Sequence, residues 1–407
     1  MDADVIVVGA GAAGLTAARA IAGLGRAPLV LEAQDHVGGR LATDRVDGYQ
    51  FDHGFQVLQS AYPAVERWLD LDALGVAAFE PGAQILLPGG RRALVADPLR
   101  RPRQLLSSAL SPVGSLGDKL HLLRLVAYVK SRSPERLFAT EETSTQQWLR
   151  RFGFGDGLIE RFFRPFYGGI YLERELRTSS RLFLFTFKMF AEGAAVLPEG
   201  GIQAVAEQLA GRLPEGTVRL SSPVAEVSRD GVLLAGGGRL SAKRVIDTRP
   251  YASPERAGGT GWKSTVVVYF AADAFDVPHR TLALVPGGCP VGLVTELTSV
   301  QPTYAPPGRK LISASLQAPG GRDLGYYVEE VRKSLQPWFG AEFATWAPLR
   351  HYDVTYALPK GLHTRWEAPP ASLIGADGVV RAGDGVLGPS LQQAMRSGEL
   401  AAEAALA

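Results

Sequence analysis

The hydrophobic pattern of the first forty residues predicts a strand, a helix and a second strand. Residues 5–8 form a continuous apolar run, typical of a parallel strand that is buried on both faces. Glycines interrupt this run, and apolar residues then recur on one side of a helical segment. A second apolar run, residues 29–31, ends at Glu32. This order predicts a βαβ unit at the start of the chain.

The middle of the chain changes its pattern twice. Residues 80–197 are mainly helical in pattern, whereas residues 261–374 alternate apolar and polar positions and are rich in β-branched residues, with one helix near residues 325–337. We therefore expect a mixed sheet covered by helices. Near the C-terminus, Ser390 and Gln393 form an S-x-x-Q capping box, which predicts a helix that begins at Leu391.

Composition narrows the class of protein. A chain of 407 residues is long enough for two domains, and its 46% hydrophobic and 21% charged residues are ordinary for a globular protein. The net charge of +2 does not favour nucleic-acid binding. A single cysteine, Cys289, predicts a cytoplasmic protein without disulfides. We expect no signal peptide and no membrane-spanning helix, because no basic n-region and no run of about 18 apolar residues occurs.

The glycines after the first strand have the spacing of a dinucleotide site. Gly9, Gly11 and Gly14 form G-x-G-x-x-G between the predicted strand and helix. In this pattern the first glycine permits the tight turn, the second admits a pyrophosphate, and the third lets the helix pack on the strand. Glu32 lies where an acid would accept hydrogen bonds from a ribose.

Three further motifs carry a family resemblance. Gly38-Gly39-Arg40 is a second glycine turn, eight residues past Glu32, and the segment FDHGFQV covers residues 51–57. The C-terminal run GDGVLGPSLQQAMRSGELAA covers residues 383–402. With these motifs the chain resembles the FAD-dependent superfamily of amine oxidases, protoporphyrinogen oxidases and carotenoid (phytoene) desaturases, although His36 stands where the family often has arginine.

The resemblance implies a set of FAD contacts. Arg40 would contact the pyrophosphate, Asp384 a ribityl hydroxyl, and the backbone of Val224 the adenine. The positive end of the C-terminal helix would face the flavin N1–C2=O edge. The expected cofactor-binding residues are Gly9, Gly11, Ala12, Ala13, Gly14, Glu32, Gly39, Arg40, Gly54, Phe55, Gln56, Val57, Val224, Gly383, Asp384, Ser390, Leu391 and Gln392.

The resemblance also implies the domain layout. The fold class is α/β, with a Rossmann-like (GR2-type) FAD-binding domain that is discontinuous along the chain. It would comprise residues 1–80, 198–260 and 375–407. Residues 81–197 and 261–374 would form an inserted α+β substrate domain with a mixed sheet and helices.

The substrate region is rich in aromatic residues and lacks paired acids. Phe166, Tyr167, Tyr171 and Phe187 predict an apolar pocket, with ordinary core packing as the alternative. Amine oxidases of the family place a lysine beside flavin N5. Here Thr265 aligns with it and is a fifth expected pocket residue, and Lys263 lies two residues away. His53 is an open possibility for covalent flavin attachment, but we expect non-covalent FAD. The sequence indicates no general base and no metal site.

We expect an FAD-dependent oxidoreductase that accepts hydride at flavin N5 from a lipophilic polyene or porphyrinogen-like substrate, or that isomerises it, with oxygen or a quinone as electron acceptor. The alternatives are a flavin amine oxidase and an FAD-containing binding or assembly protein without turnover.

Arginines between residues 91 and 103, ahead of a leucine-rich segment, suggest peripheral membrane contact, and a solvated charge run is the alternative. The five arginines are Arg91, Arg92, Arg100, Arg101 and Arg103.

Overall fold

The fold was analysed in a computed structural model, which describes residues 1–96, 113–250, 261–317, 320–360 and 364–407. The strands are β1 Ala3–Val8, β2 Pro28–Leu31, β3 Thr43–Val46, β4 Tyr49–Asp52, β5 Leu58–Gln59, β6 Ala77–Ala78, β7 Gly82–Leu86, β8 Arg92–Ala96, β9 Ala195–Leu197, β10 Val218–Arg219, β11 Val224–Ser228, β12 Gly231–Leu234, β13 Arg239–Asp247, β14 Trp262–Ala272, β15 Leu282–Leu284, β16 Val291–Glu296, β17 Lys310–Leu316, β18 Ala347–Pro359 and β19 Val380–Arg381. The α-helices are α1 Ala12–Gly23, α2 Pro63–Trp68, α3 Leu116–Lys130, α4 Pro134–Phe138, α5 Thr145–Phe152, α6 Asp156–Leu158, α7 Arg164–Tyr171, α8 Ser180–Glu192, α9 Gln203–Ala210, α10 Leu324–Phe339, α11 Asp384–Leu387 and α12 Leu391–Leu406. A π-helix spans Ile159–Phe163, and 3-10 turns span Pro302–Tyr304, Glu342–Thr345 and Pro370–Leu373.

One sheet is formed by strands from distant parts of the chain. Its order is β10-β2-β1-β13-β12-β11, and β19 also pairs with β13. The pairings of β1 with β2 and β13, of β2 with β10, and of β13 with β19 are parallel. Residues 5–8 of β1 are all buried, as their apolar run predicted. The carboxyl ends of β1, β2, β13 and β19 therefore meet at one edge of the sheet, where loops from all four are available for a ligand.

The second sheet is mainly antiparallel. Its order is β18-β14-β17-β16-β15-β7-β8, with one parallel pairing between β15 and β7. One face of this sheet packs against α10 through an apolar cluster that includes Val266, Val268 and Val331. The β7–β8 hairpin lies within residues 80–197, which the sequence pattern had predicted to be mainly helical. Helices fill most of that range between Leu116 and Glu192, and the hairpin is an exception whose strands are stabilised by the sheet they join.

Helices α3 to α8 enclose a separate aromatic core. Leu125 and Val129 of α3 pack with Phe163, Tyr167 and other rings of the same cluster. The strong helix signal of this region is local: Ser115 caps α3 in a capping box with Asp118, and Ser144 caps α5. None of the helices within the described ranges is long and apolar enough to cross a membrane.

Candidate functional site

The turn between β1 and α1 has the geometry of a phosphate-binding loop. Gly9 adopts φ +101°, in the left-handed region that favours glycine. A Cβ on Gly14 would lie 2.0 Å from the carbonyl oxygen of Gly9, so the helix can start this close to the turn only with glycine there. Gly11, the N-cap of α1, has no side chain that could accept the first-turn N–H groups. These donors and the positive helix end are therefore available to an anion.

The second glycine turn lies directly on the first. Gly38 N donates to the carbonyl of Ala10 at 2.9 Å, and Gly38 forms a parallel bridge with Gly11. A Cβ on Gly39 would be only 3.7 Å from the Cα of Gly11. The structure thus brings together the two glycine turns that the sequence analysis assigned to one cofactor.

Glu32 is buried at the end of β2, next to these turns. One of its carboxylate oxygens accepts from Ala10 N at 2.7 Å and the other from Gln34 N at 3.0 Å. These bonds fix the orientation of the carboxylate, and each oxygen keeps a further lone pair that could accept a ligand hydroxyl.

Arg40 and Asp384 form a bidentate ion pair with each other. The two guanidinium–carboxylate distances are 2.7 and 2.6 Å, and the same Arg40 nitrogen that makes the longer contact also donates to the Ala357 carbonyl at 2.9 Å. The Arg40 guanidinium also lies 5.3 Å from the centre of the Trp262 ring. Burial lowers the pKa of Arg40, but the Asp384 carboxylate outweighs it and raises that pKa above its usual value. The sequence analysis gave the two residues separate ligand contacts and did not foresee their pairing.

Residues 54–57 continue from this ion pair. The Gln56 amide donates to the carbonyls of Arg40 and His53, at 2.6 and 3.0 Å, which fixes the segment against the second glycine turn. Gly54 adopts φ +104°. The Phe55 side chain packs at the seam between the aromatic core and the cluster beneath the second sheet, to which Val57 also belongs. Phe55 therefore connects the glycine turns with the aromatic region.

The C-terminal helix α12 begins at Leu391, as predicted, but only half of the capping box forms, because Ser390 N donates to the Gly388 carbonyl at 2.9 Å. The Ser390 hydroxyl accepts from Gln393 N at 3.1 Å and also contacts the Gln393 side-chain oxygen. The Gln392 side chain points to α2, where it accepts from Ala64 N at 2.8 Å. The Gln392 side-chain oxygen thus stabilises the packing of two helices, and a contact of Gln392 with the cofactor stays a prediction.

Helix α12 lies against α1 at very short range. A Cβ on Gly398 would be 2.3 Å from the carbonyl oxygen of Ala13, so glycine is needed where the two helices cross. Gly383, at φ +121°, donates its N–H to the Ser397 hydroxyl at 2.7 Å. These contacts fix the loop before α12 beside the first glycine turn.

The end of β13 adds a residue that the sequence analysis missed. The Thr248 hydroxyl donates to the Val8 carbonyl at 2.8 Å, and it is the atom that a Cβ on Gly9 would meet, at 2.6 Å. The signal was present: Thr248 follows a strand whose carboxyl end faces the ligand edge of a parallel sheet. Val224 begins β11, and its carbonyl accepts from Arg249 at 3.2 Å. A backbone contact of Val224 with adenine stays a prediction.

Four of the five predicted pocket residues share one aromatic cluster. The ring of Phe183 lies 4.8 Å from Tyr167 and 6.0 Å from Phe187, and Tyr167 lies 5.7 Å from Tyr171. Phe166 contacts Tyr167 edge-on at 5.2 Å. Burial raises the pKa of Tyr167 and Tyr171 well above the usual value. The buried Tyr171 hydroxyl has no hydrogen-bond partner of ordinary geometry within the described part of the chain.

Thr265 and Lys263 are both engaged in the protein. The Thr265 hydroxyl donates to the Leu316 carbonyl of the neighbouring strand at 3.2 Å, so its polar group is satisfied within the sheet. The Lys263 ammonium donates to the Tyr171 carbonyl at 2.8 Å and lies 3.4 Å from the Glu173 carboxylate. Burial lowers the pKa of Lys263, and the Glu173 carboxylate partly offsets this.

The His53 side chain is oriented by Asp44 and Tyr352. Its Nε2 lies 2.9 Å from the Asp44 carboxylate, and its ring stacks on Tyr352 with 4.4 Å between centres. Asp44 also accepts from Arg350 and from the Tyr352 hydroxyl, both at 2.7 Å. His53 is therefore held in a polar cluster, and covalent attachment through it gains no support from this geometry.

The basic segment is only partly described. The Arg91 side chain donates to the Pro88 carbonyl, and Arg92 pairs with Asp276 and lies over the Phe339 ring. The contacts of Arg92 hold it to the second sheet, whereas Arg91 is exposed, and membrane contact through this segment stays a prediction. Arg100, Arg101 and Arg103 lie outside the described residues. No cluster of His, Cys, Asp and Glu suited to a metal occurs within the described residues.

Known proteins are similar to this chain in sequence and in fold. The family model for flavin containing amine oxidoreductases matches residues 12–406. Putrescine oxidase from Kocuria rosea is 28% identical over 268 residues, which cover 61% of this chain and 53% of that protein. Coproporphyrinogen III oxidase from Propionibacterium freudenreichii subsp. freudenreichii is 30% identical over 173 residues, covering 41% and 31%.

An oxidoreductase of known structure from Methanosarcina mazei has the same fold, with a TM-score of 0.70, 18% identity, and coverage of 97% of this chain and 98% of that one. The matched regions span about half of the putrescine oxidase and about a third of the coproporphyrinogen III oxidase. The family match, in contrast, covers nearly the whole of the present chain. The chain belongs to the flavin containing amine oxidoreductase family.

Proposed function

We propose that this protein is an FAD-dependent oxidoreductase that binds FAD without a covalent bond and oxidises or isomerises a lipophilic small molecule. The described residues fit such a cofactor. Two glycine turns in contact, each with positive φ, leave no side chain between the backbone and a pyrophosphate. A buried carboxylate, Glu32, lies at one end of this region, and the capped start of α12 lies at the other.

The chain's own residues would bind and orient the two ends of the cofactor. Donors from the first turn of α1 would face the pyrophosphate, and Glu32 would accept from the adenosine ribose. The Arg40–Asp384 pair would lie along the ribityl chain. The free N–H groups of α12 would face the flavin edge where negative charge develops on reduction. When bound, FAD supplies the two-electron acceptor for substrate oxidation.

The aromatic cluster is the observation that carries the substrate class. Phe55 joins the proposed flavin segment to a core of at least ten rings, and the Tyr171 hydroxyl is buried within this core. Such surroundings favour an apolar molecule with at most a few polar atoms, because a charged group would lose its hydration without compensation. Oxygen or a quinone is the proposed electron acceptor.

Amine oxidation is the second candidate, because a putrescine oxidase is among the relatives. The engagement of Lys263 with Glu173 and the Tyr171 carbonyl weighs against it, since this ammonium is held by the protein in a buried ion pair. An FAD-containing binding protein without turnover is the third candidate.

Anaerobic mixing of the purified yellow protein with defined substrates would separate the three. We expect coproporphyrinogen III or phytoene to bleach the flavin absorbance, and putrescine and other amines to leave it unchanged. Bleaching by amines alone would establish the amine oxidase. If none of these compounds bleaches a flavin that dithionite reduces normally, the proposed substrate class is wrong. Acid precipitation should release FAD into the supernatant, and flavin retained in the pellet would contradict non-covalent binding.

A further inference from the structure

Helix α3 exposes a stripe of leucines to solvent. Leu116, Leu120 and Leu123 have exposed fractions of 76%, 68% and 46%, and Ala127 is exposed as well. Their spacing of i, i+4, i+7 and i+11 places all four within roughly 60° of arc around the helix axis. An ordinary surface helix carries polar residues on this face, so the stripe needs an explanation.

The opposite face of α3 is packed against the aromatic core. Leu125 and Val129 are fully buried in the aromatic core, and Asp118 is buried at the start of the helix. The Asp118 carboxylate accepts from Ser115 N and Gly155 N, both at 2.7 Å. The helix is thus anchored by its inner face and its cap, and the leucine stripe is not required for that packing.

The charged residues that flank the stripe on its own helix are positive. Lys119, Arg124 and Lys130 flank it on the same helix, and Asp118, the sole acid of α3, faces inward. The Arg124 guanidinium lies 4.6 Å from the centre of the Phe152 ring, which fixes it on one border of the stripe. A second copy of the chain that paired through this stripe about a two-fold axis would bring these cations against their own copies. An anionic surface has the complementary charge.

We propose that the outer face of α3 docks on an anionic phospholipid surface, with the leucine stripe inserted among the acyl chains and the flanking cations at the headgroups. An interfacial helix requires both features, a narrow apolar face and a basic border. Docking would also place the aromatic core next to the bilayer, and the benefit of this for substrate supply rests on the proposed function. The docking itself does not depend on flavin turnover.

Vesicle sedimentation of the FAD-loaded protein tests the proposal. We expect binding to phosphatidylglycerol–phosphatidylcholine vesicles, little binding to phosphatidylcholine alone, and loss of binding in high salt. The triple variant Leu116→Ser, Leu120→Ser, Leu123→Ser should bind at least about tenfold more weakly. The matched control Leu24→Ser, Leu220→Ser, Ile374→Ser removes three exposed apolar side chains elsewhere and should bind like the wild type.

Three results would overturn the proposal: no binding of wild-type protein to anionic vesicles, equal binding of the stripe variant, or equal loss in the control variant. Light scattering after gel filtration tests whether the leucine stripe binds a second copy of the chain instead. A wild-type dimer that becomes a monomer in the stripe variant would assign the stripe to that contact. Flavin content and the thermal midpoint verify folding, and the single variant Leu120→Ser, expected to weaken binding severalfold, gives an independent test. Failure of the flavin assay would leave these results unaffected.

Discussion

Removal of the Asp384 carboxylate should weaken FAD binding through Arg40. In the structure both carboxylate oxygens accept from the guanidinium, at 2.7 and 2.6 Å, and the Asp384 side chain is only 6% exposed. Charge-assisted hydrogen bonds of this kind contribute about 1.5–3 kcal/mol. Arg40 is 37% exposed, so solvent screens part of the attraction and the lower half of that range applies. Because the pair forms without FAD, its energy sets an upper limit on what the orientation of Arg40 contributes, and Asp384→Ala should weaken FAD binding by up to roughly tenfold, or a hundredfold only if the carboxylate also bonds the ribityl chain.

Asp384→Asn gives a sharper expectation. The amide can accept from one guanidinium nitrogen, but its own NH₂ group would face the other, so we expect a loss close to that of alanine. Asp276→Asn is the matched control, because it breaks an ion pair with Arg92 on the second sheet, away from the glycine turns. Fluorescence quenching of FAD during titration of the apo-protein gives the dissociation constants.

A double-mutant cycle with Arg40→Gln decides whether the two residues act as a unit. If Asp384 acts through Arg40, the double variant should bind FAD about as weakly as the weaker single variant. Strictly additive losses would show that the carboxylate and the guanidinium contact the cofactor independently. Wild-type affinity in Asp384→Ala would refute the reasoning altogether.

Three further predictions concern backbone contacts and a buried acid. Gly11→Val should abolish FAD binding but leave the fold intact, because the Cβ would meet only the Gly38 carbonyl oxygen, at 3.7 Å. Gly14→Ala should abolish FAD binding and also lower the thermal midpoint of the apo-protein, because its Cβ would lie 2.0 Å from the Gly9 carbonyl oxygen. Gly398→Ala should also lower that midpoint, by separating α12 from α1, and unchanged melting would contradict the close packing described here. Burial raises the pKa of Asp52, so the free energy of unfolding should fall as the pH rises from about 4 through the raised value. Asp52→Asn should remove this dependence of the unfolding free energy on pH, measured by urea titration at several pH values. An equal pH dependence in both proteins would show that the pKa of Asp52 is ordinary.

Local signals in the sequence were sufficient for the ends of the chain. The first apolar run, the glycine spacing and the Ser390 cap each act over a few residues, and the corresponding strand, turn and helix are present in the structure. The close packing of α12 on α1 likewise depends on one residue type, because a Cβ on Gly398 would meet the Ala13 carbonyl oxygen. Such features are readable because backbone geometry leaves few residue types that fit.

Contacts between distant residues could not be read in this way. No local sequence pattern indicates that Arg40 forms an ion pair with Asp384, 344 residues away. The same holds for the contact of the Gln392 side chain with α2. The β7–β8 hairpin was missed because its strands are stabilised by the sheet they join rather than by their own pattern. The role of each cofactor residue remains a prediction, since position beside a glycine turn is compatible with several contacts.

The pairing of Arg40 with Asp384 has a consequence for the order of assembly during synthesis. The first βαβ unit leaves the ribosome early, but the partner of Arg40 and the helix that packs on α1 follow more than 300 residues later. Closing so long a loop is slow compared with local folding. An incomplete chain would therefore hold the glycine turns without their cover, and we expect FAD to be retained only after α12 has docked. Cofactor loading would then report that synthesis has passed α12.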